Sequence, residues 1–133
     1  MEGVAARIAA HPGPRPSISL GIEIANTGDR EWHGTVFDPL VPWELRAWVD
    51  GEEVAVRQPA LDLSVRGRRL RLAPGASEEI PSPIVLIFEG DEEPGDAYTW
   101  VIGAPAPRTI ELAATVNAGA EQLEAPRTMV ELP

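Results

Sequence analysis

Apolar and polar residues alternate along most of this chain. Between Ser17 and Asn26, Ile18, Leu20, Ile22 and Ile24 point one way, while Ser19, Gly21 and Glu23 point the other. A period of two marks a half-buried strand, and Asn26-Thr27-Gly28-Asp29 is a turn that ends it. Leu45, Ala47 and Val49 repeat the pattern up to Asp50-Gly51, a strong hairpin signal, and Val54 and Val56 continue on the return strand. Further runs follow at Leu61, Leu63 and Val65, and at Leu70 and Leu72, the latter closed by Pro74-Gly75. Behind Pro81 and Pro83 comes a wholly apolar strand of Ile84, Val85, Leu86, Ile87 and Phe88. Tyr98, Trp100 and Ile102, then Ile110, Leu112, Ala114 and Val116, and finally Val130 and Leu132 complete the series.

The series amounts to about eight to ten short strands with turn signals roughly every ten residues, the spacing of an antiparallel sandwich or barrel. No segment carries a helical stripe. Residues 4–10 are the one stretch that could be helical, and Pro12, Pro14 and Pro16 stop it, so an edge strand is expected there. Residues 1–133 read as one all-β domain, with 1–16 as edge strand and Pro-rich lead-in.

Composition narrows the function classes. The chain has 133 residues, 11 basic against 21 acidic, and a net charge of −10; all the basic residues are Arg. That balance argues against non-specific binding to nucleic acid or to an anionic membrane, both of which need clustered cations. There is no Cys, which excludes disulfides, thiolate metal sites and thiol nucleophiles. Lys-free, Arg- and Ala-rich usage fits either a genomic composition bias or a salt-adapted source. The first residues lack a signal-peptide pattern, and the longest apolar run is strand-sized, so a cytoplasmic, membrane-independent protein is expected.

The order of turns resembles that of bacterial immunoglobulin-like domains. Asn26-Thr27-Gly28-Asp29 after a strand, Leu72-Ala73-Pro74-Gly75 later, and the Tyr-bearing Ala97-Tyr98-Thr99-Trp100 all recur there. The chain is most similar to the bacterial intracellular proteinase inhibitor domain. There an aromatic-acidic strand ends in an Asp/Gly hairpin, comparable to Trp43-Glu44-Leu45-Arg46-Ala47-Trp48-Val49-Asp50-Gly51-Glu52. The resemblance spans about residues 17–116 and rests on turn motifs, which report topology and carry no contact residue. It implies an antiparallel immunoglobulin-like β-sandwich and, as a specific role, inhibition of an intracellular serine proteinase. A loop entering a protease cleft should be exposed and extended; residues 38–43, braced by Pro39 and Pro42, are the segment to test.

Catalytic chemistry finds few carriers. His11, beside Pro12 in an expected loop, and His33, between Trp32 and Gly34, are the only imidazoles, and neither lies in a motif that supplies an orienting partner. Ser17, Ser19, Ser64, Ser77 and Ser82 lack a nucleophile elbow, and without Lys there is no phosphate loop. A hydrolase using paired carboxylates is the enzyme class left, and the expectation is a non-catalytic protein without cofactor or metal. The acidic stretch 90–96, from Gly90 through Asp91, Glu92, Glu93 to Asp96, offers the oxygen ligands Ca²⁺ prefers, and reads equally as a solvated turn.

Binding chemistry is better represented. Alternation sets Trp48 on a polar face with Glu44 and Arg46, where it is either an anchor for a partner or covered by a neighbouring loop such as residues 38–42. Trp32 and Trp100 are assigned to core or loop packing, with Trp100 the stronger core candidate. The strand holding Val85 and Ile87 is apolar on both faces, so its second face needs cover from this chain or from another protein, which includes a second copy. Arg66, Arg68, Arg69 and Arg71 form the one basic cluster, suited to an acidic peptide or to this chain's own acidic loops, with Arg69 and Arg71 opposite Leu70 and Leu72. The leading expectation is a protein-binding module using Glu44, Arg46 and Trp48 or Val85 and Ile87. The inhibitor role, a carbohydrate-binding module built on exposed Trp, and a structural subunit of a larger assembly are the alternatives.

Overall fold

The computed structural model describes residues 3–13, 17–38, 42, 44–58, 66–90, 99–118 and 121–132. Among them the regular structure is entirely β-strand, and no helix is long and apolar enough to cross a membrane. Eleven strands follow in chain order: β1 (Val4–Pro12), β2 (Ser17–Asn26), β3 (Trp32–Asp38), β4 (Glu44–Val49), β5 (Glu52–Val54) and β6 (Val56–Arg57). Then come β7 (Arg66–Leu72), β8 (Ser77–Phe88), β9 (Thr99–Ile102), β10 (Thr109–Ala118) and β11 (Glu121–Glu131). The run Leu61, Leu63, Val65, the residues Trp43 and Tyr98, and the acidic positions 91–96 lie outside the described residues.

The strands form two sheets. Sheet I has the order β1-β2-β8-β9-β6; sheet II runs β5-β4-β10-β3-β7, with β11 on the other edge of β10. Among the described residues every pairing is antiparallel except β8 with β9. The antiparallel expectation fails at that one place, and the reason is connectivity: residues 89–98 separate the two strands, and a parallel partner needs a crossover rather than a tight turn.

Alternation decides the faces. Ile18, Ile22, Ile24, Ile84, Leu86 and Phe88 of sheet I meet Val36, Leu45, Leu112 and Val116 of sheet II in one core. Each such side chain contributes about 1.5–3 kcal/mol by leaving water. Trp100 is buried there as expected, whereas Trp32 is half-buried at the margin. Trp32 opens β3, which the apolar pattern missed because Gly34 stands where an inward side chain would be. A Cβ on Gly34 would lie 2.3 Å from the Trp32 ring, so the missing side chain is what lets the indole lie back along its own strand.

Turn chemistry holds the strand ends. Asp50 and Gly51 both have positive φ (52° and 81°), the backbone of a tight hairpin between β4 and β5. The return strand does not continue unbroken. After Val54 the chain passes through Ala55 and resumes as β6 in the opposite sheet, where the Gly103 N–H donates to the Ala55 carbonyl at 2.7 Å.

At the other end, Asn26 is buried (2% exposed). Its amide donates to the carbonyls of Arg30 and Leu72, and its side-chain oxygen accepts from the Gly28 N–H. The Asn26 backbone also donates to Ala76 and accepts from Gly75. The Asn-Thr-Gly-Asp turn and the Leu-Ala-Pro-Gly turn, separate in sequence, are thus one hydrogen-bonded unit.

Of the two prolines in the central strand β8, Pro83 falls within a register break and Pro81 at its edge. Ser19 faces Val85 but Gly21 faces Pro81, so β8 carries extra residues through Ser82, Pro83 and Ile84. Proline has no N–H to give a ladder, and a bulge is where that costs nothing.

Candidate functional site

The outer face of sheet II carries the densest arrangement of charge and aromatic surface. On β4, Glu44, Arg46 and Trp48 all point to this face, as alternation predicts; Leu45 and Ala47 point into the core. Trp48 stands opposite Glu53 on β5 and Glu111 on β10, while Arg46 stands opposite Ala113.

Trp48 is nevertheless only 9% exposed. The ring is not open, and the loop alternative at 38–42 rests mostly on residues 39–41, outside the described residues; the cover the described residues supply is arginine. The Arg127 guanidinium carbon lies 3.9 Å from the ring centroid and that of Arg46 lies 5.0 Å from it. Arginine stacks on an aromatic face because the ring's negative quadrupole meets a planar, weakly hydrated cation.

Arg127 reaches Trp48 through a bulge. Between the pairs Leu112–Thr128 and Ala114–Ala125, β11 has one more residue than β10. Pro126, without an N–H, sits at the break, and Pro126 and Arg127 are both exposed while Ala125 is buried. The alternation read in the sequence reaches this strand only at Val130, so its first half and its arginine were missed. Leu123 and Ala125 continue the apolar period, and a Pro-Arg step inserted in it was the available clue.

Carboxylates complete the array. Arg46 donates to both Glu53 oxygens, at 2.7 and 2.8 Å, and its Nε lies 4.0 Å from Glu44. Arg127 Nε lies 3.1 Å from Glu111. The hydrogen bonds from Arg46 hold the Glu53 carboxyl below the usual glutamate range and raise the Arg46 guanidinium further above neutrality. Both side chains are solvated, so this sets geometry more than stability.

Beside the stack runs a shallow groove of about 430 Å³. Ala113, Ala114 and Thr115 make its floor, Trp48, Arg46 and Arg127 one end, and Glu44 and Glu124 flank Thr115. Among the described residues lining it there is no imidazole, and Thr115 has the sole hydroxyl. Glu44 and Glu124 are both exposed to water.

The remaining sequence-derived positions fall elsewhere. Val85 and Ile87 are half-buried on the outer face of sheet I, between Ser17 and Ser19 on one side and Thr99 and Val101 on the other. They therefore sit on the side of the molecule opposite Glu44, Arg46 and Trp48. His11, expected in a loop, is in β1 and faces the Glu79 carboxylate at 3.2 Å. His33, in β3, lies 2.7 Å from Glu31. No group of three or more His, Asp and Glu residues is placed to hold a metal among the described residues. Of the candidate cleft segment 38–43, residues 39–41 and 43 lie outside the described residues.

No protein-family model matches this chain, and no curated protein matches it.

Proposed function

We propose that the chain is a non-catalytic, immunoglobulin-like β-sandwich that binds another protein through the outer face of sheet II. The observation that carries this reading is the Arg127–Trp48–Arg46 stack standing at the end of an open groove floored by small residues. Binding energy at protein interfaces concentrates in Trp and Arg side chains beside pockets that exclude water. Here those side chains are held rigid before any partner arrives, so little rotamer freedom is lost on docking. The sandwich reading is supported by one core shared by two sheets and by the two turn motifs meeting at Asn26.

The test is a capture experiment on lysate from the source organism. The native protein is immobilised beside Ala113→Tyr, which fills the groove floor with a strand-compatible side chain, and Arg46→Ala. One protein retained by the native chain and released by both variants supports the reading; a serine proteinase in that fraction makes the role inhibitory. Identical retention by all three proteins, or retention of nothing, overturns it.

A further inference from the structure

The outer face of sheet II continues past β10 onto β3 and β7, and there its chemistry changes. Register sets His33 opposite Arg71, Thr35 opposite Arg69, and Phe37 opposite Gly67. These residues share the outer face, because Trp32, Gly34, Val36, Leu70 and Leu72 take the inner positions. His33, Thr35, Arg69 and Arg71 border a trough of about 560 Å³ open to solvent, and Phe37 with Gly67 forms the next outward pair of the same face, beyond its lining.

Three observations define what fits it. The first is charge. Glu31 Oε1 lies 2.7 Å from His33 Nε2 and 3.5 Å from Arg71 Nε, so one carboxylate is shared between two basic groups. No ion pair among the described residues engages Arg69, so the trough keeps a net positive charge in a chain of net −10. The second is spacing. Alternate residues of a strand recur about every 6.7 Å on one face, which is also the pitch of alternate side chains in any extended peptide. The third is apolar: Phe37 is 46% exposed, and the residue across from it is Gly67, which leaves the ring open on that side.

We propose that this trough docks an extended acidic segment of a partner protein. Carboxylates at alternate positions meet Arg69 and Arg71, and an apolar side chain two residues beyond lies on Phe37. Guanidinium and carboxylate match as paired forks, which makes Arg the fitting residue type for this contact. A few carboxylates spaced to fit gain at the trough without spreading charge over the acidic remainder of the surface. A nucleic-acid strand, charged at every nucleotide, meets that surface along its whole length. The site is separate from the Trp48 groove and stands or falls independently of it.

The test uses fluorescence anisotropy with a dye-labelled peptide carrying Glu at alternate positions and a Leu two residues beyond the last. The controls are the same peptide with Gln for Glu, and an oligodeoxythymidine of equal length. The native protein should bind the Glu peptide, and bind the Gln version roughly tenfold more weakly or worse. Arg69→Ala with Arg71→Ala should lose the binding. Thr35→Glu, which sets a carboxylate directly opposite Arg69 on an exposed face, should lose it too while the fold is kept. Trp48→Ala should bind as the native protein does, which separates this site from the groove. Failure of the native protein to bind the Glu peptide, equal affinity for the Gln peptide, undiminished binding by both arginine-site variants, or tighter binding of the oligonucleotide would each overturn the proposal.

Discussion

The carboxamide of Asn26 has each of its roles filled: two N–H groups go to the Arg30 and Leu72 carbonyls, and its oxygen takes the Gly28 N–H. Removing a buried partner leaves the others desolvated and unpaired, which costs more than the bond itself. Asn26→Ala should therefore destabilise the protein by about 2–4 kcal/mol in a urea titration. Asn26→Asp should be destabilising too, since a carboxylate accepts but cannot donate to two carbonyls. Glu53 acts at the surface, with a folded-state carboxyl held low by hydrogen bonds from Arg46. A depressed carboxyl contributes stability that is present above the unfolded value, near 4.3 for glutamate, and is lost as pH falls through the folded value. The melting-temperature gap between the native protein and Glu53→Gln should thus be open at pH 7 and close below about pH 4. A gap that persists unchanged in acid would show that the pair does not act through its charge.

Among the elements, those with plain alternation were readable from residue order. The faces of β2, β4 and β10 follow directly from Ile18, Leu45 and Ile110 and their partners two positions on, because one buried face imposes a period of two. What escaped were interruptions of that period. Gly34 hides an inward position of β3, Pro81 and Pro83 sit inside β8 rather than before it, and Pro126 shifts β11 by one residue. The candidate surface was half visible for the same reason. Glu44, Arg46 and Trp48 follow from alternation, but Arg127 reaches the ring only through a bulge whose partner strand is distant in sequence. Arg127→Ala should uncover Trp48, raising the accessible fraction in acrylamide quenching and lowering stability by about 1 kcal/mol. Unchanged quenching would mean that Arg46 alone shields the ring.

On the scale of the molecule, the two sheets offer unlike outer faces. Sheet I presents Val85 and Ile87 among serines and a threonine, while sheet II presents an aromatic-guanidinium stack at one end and a basic trough at the other. Of the passages by which the chain changes sheet, the shortest runs from β5 to β6, where Ala55 alone separates strands of opposite sheets. That passage determines where the chain tolerates a change of length. An added residue at the Asp50-Gly51 hairpin lengthens a solvent-facing loop and leaves every strand in register. The same residue inserted after Ala55 turns β6 over, driving Arg57 toward the core and Val56 out to water. A glycine inserted at the first place should leave the melting temperature within a few degrees of native, and at the second should lower it by roughly 10 °C or more. Loop grafts and fusions belong at the hairpin, and the single-residue step at Ala55 is a spacing that natural variants of this chain should keep.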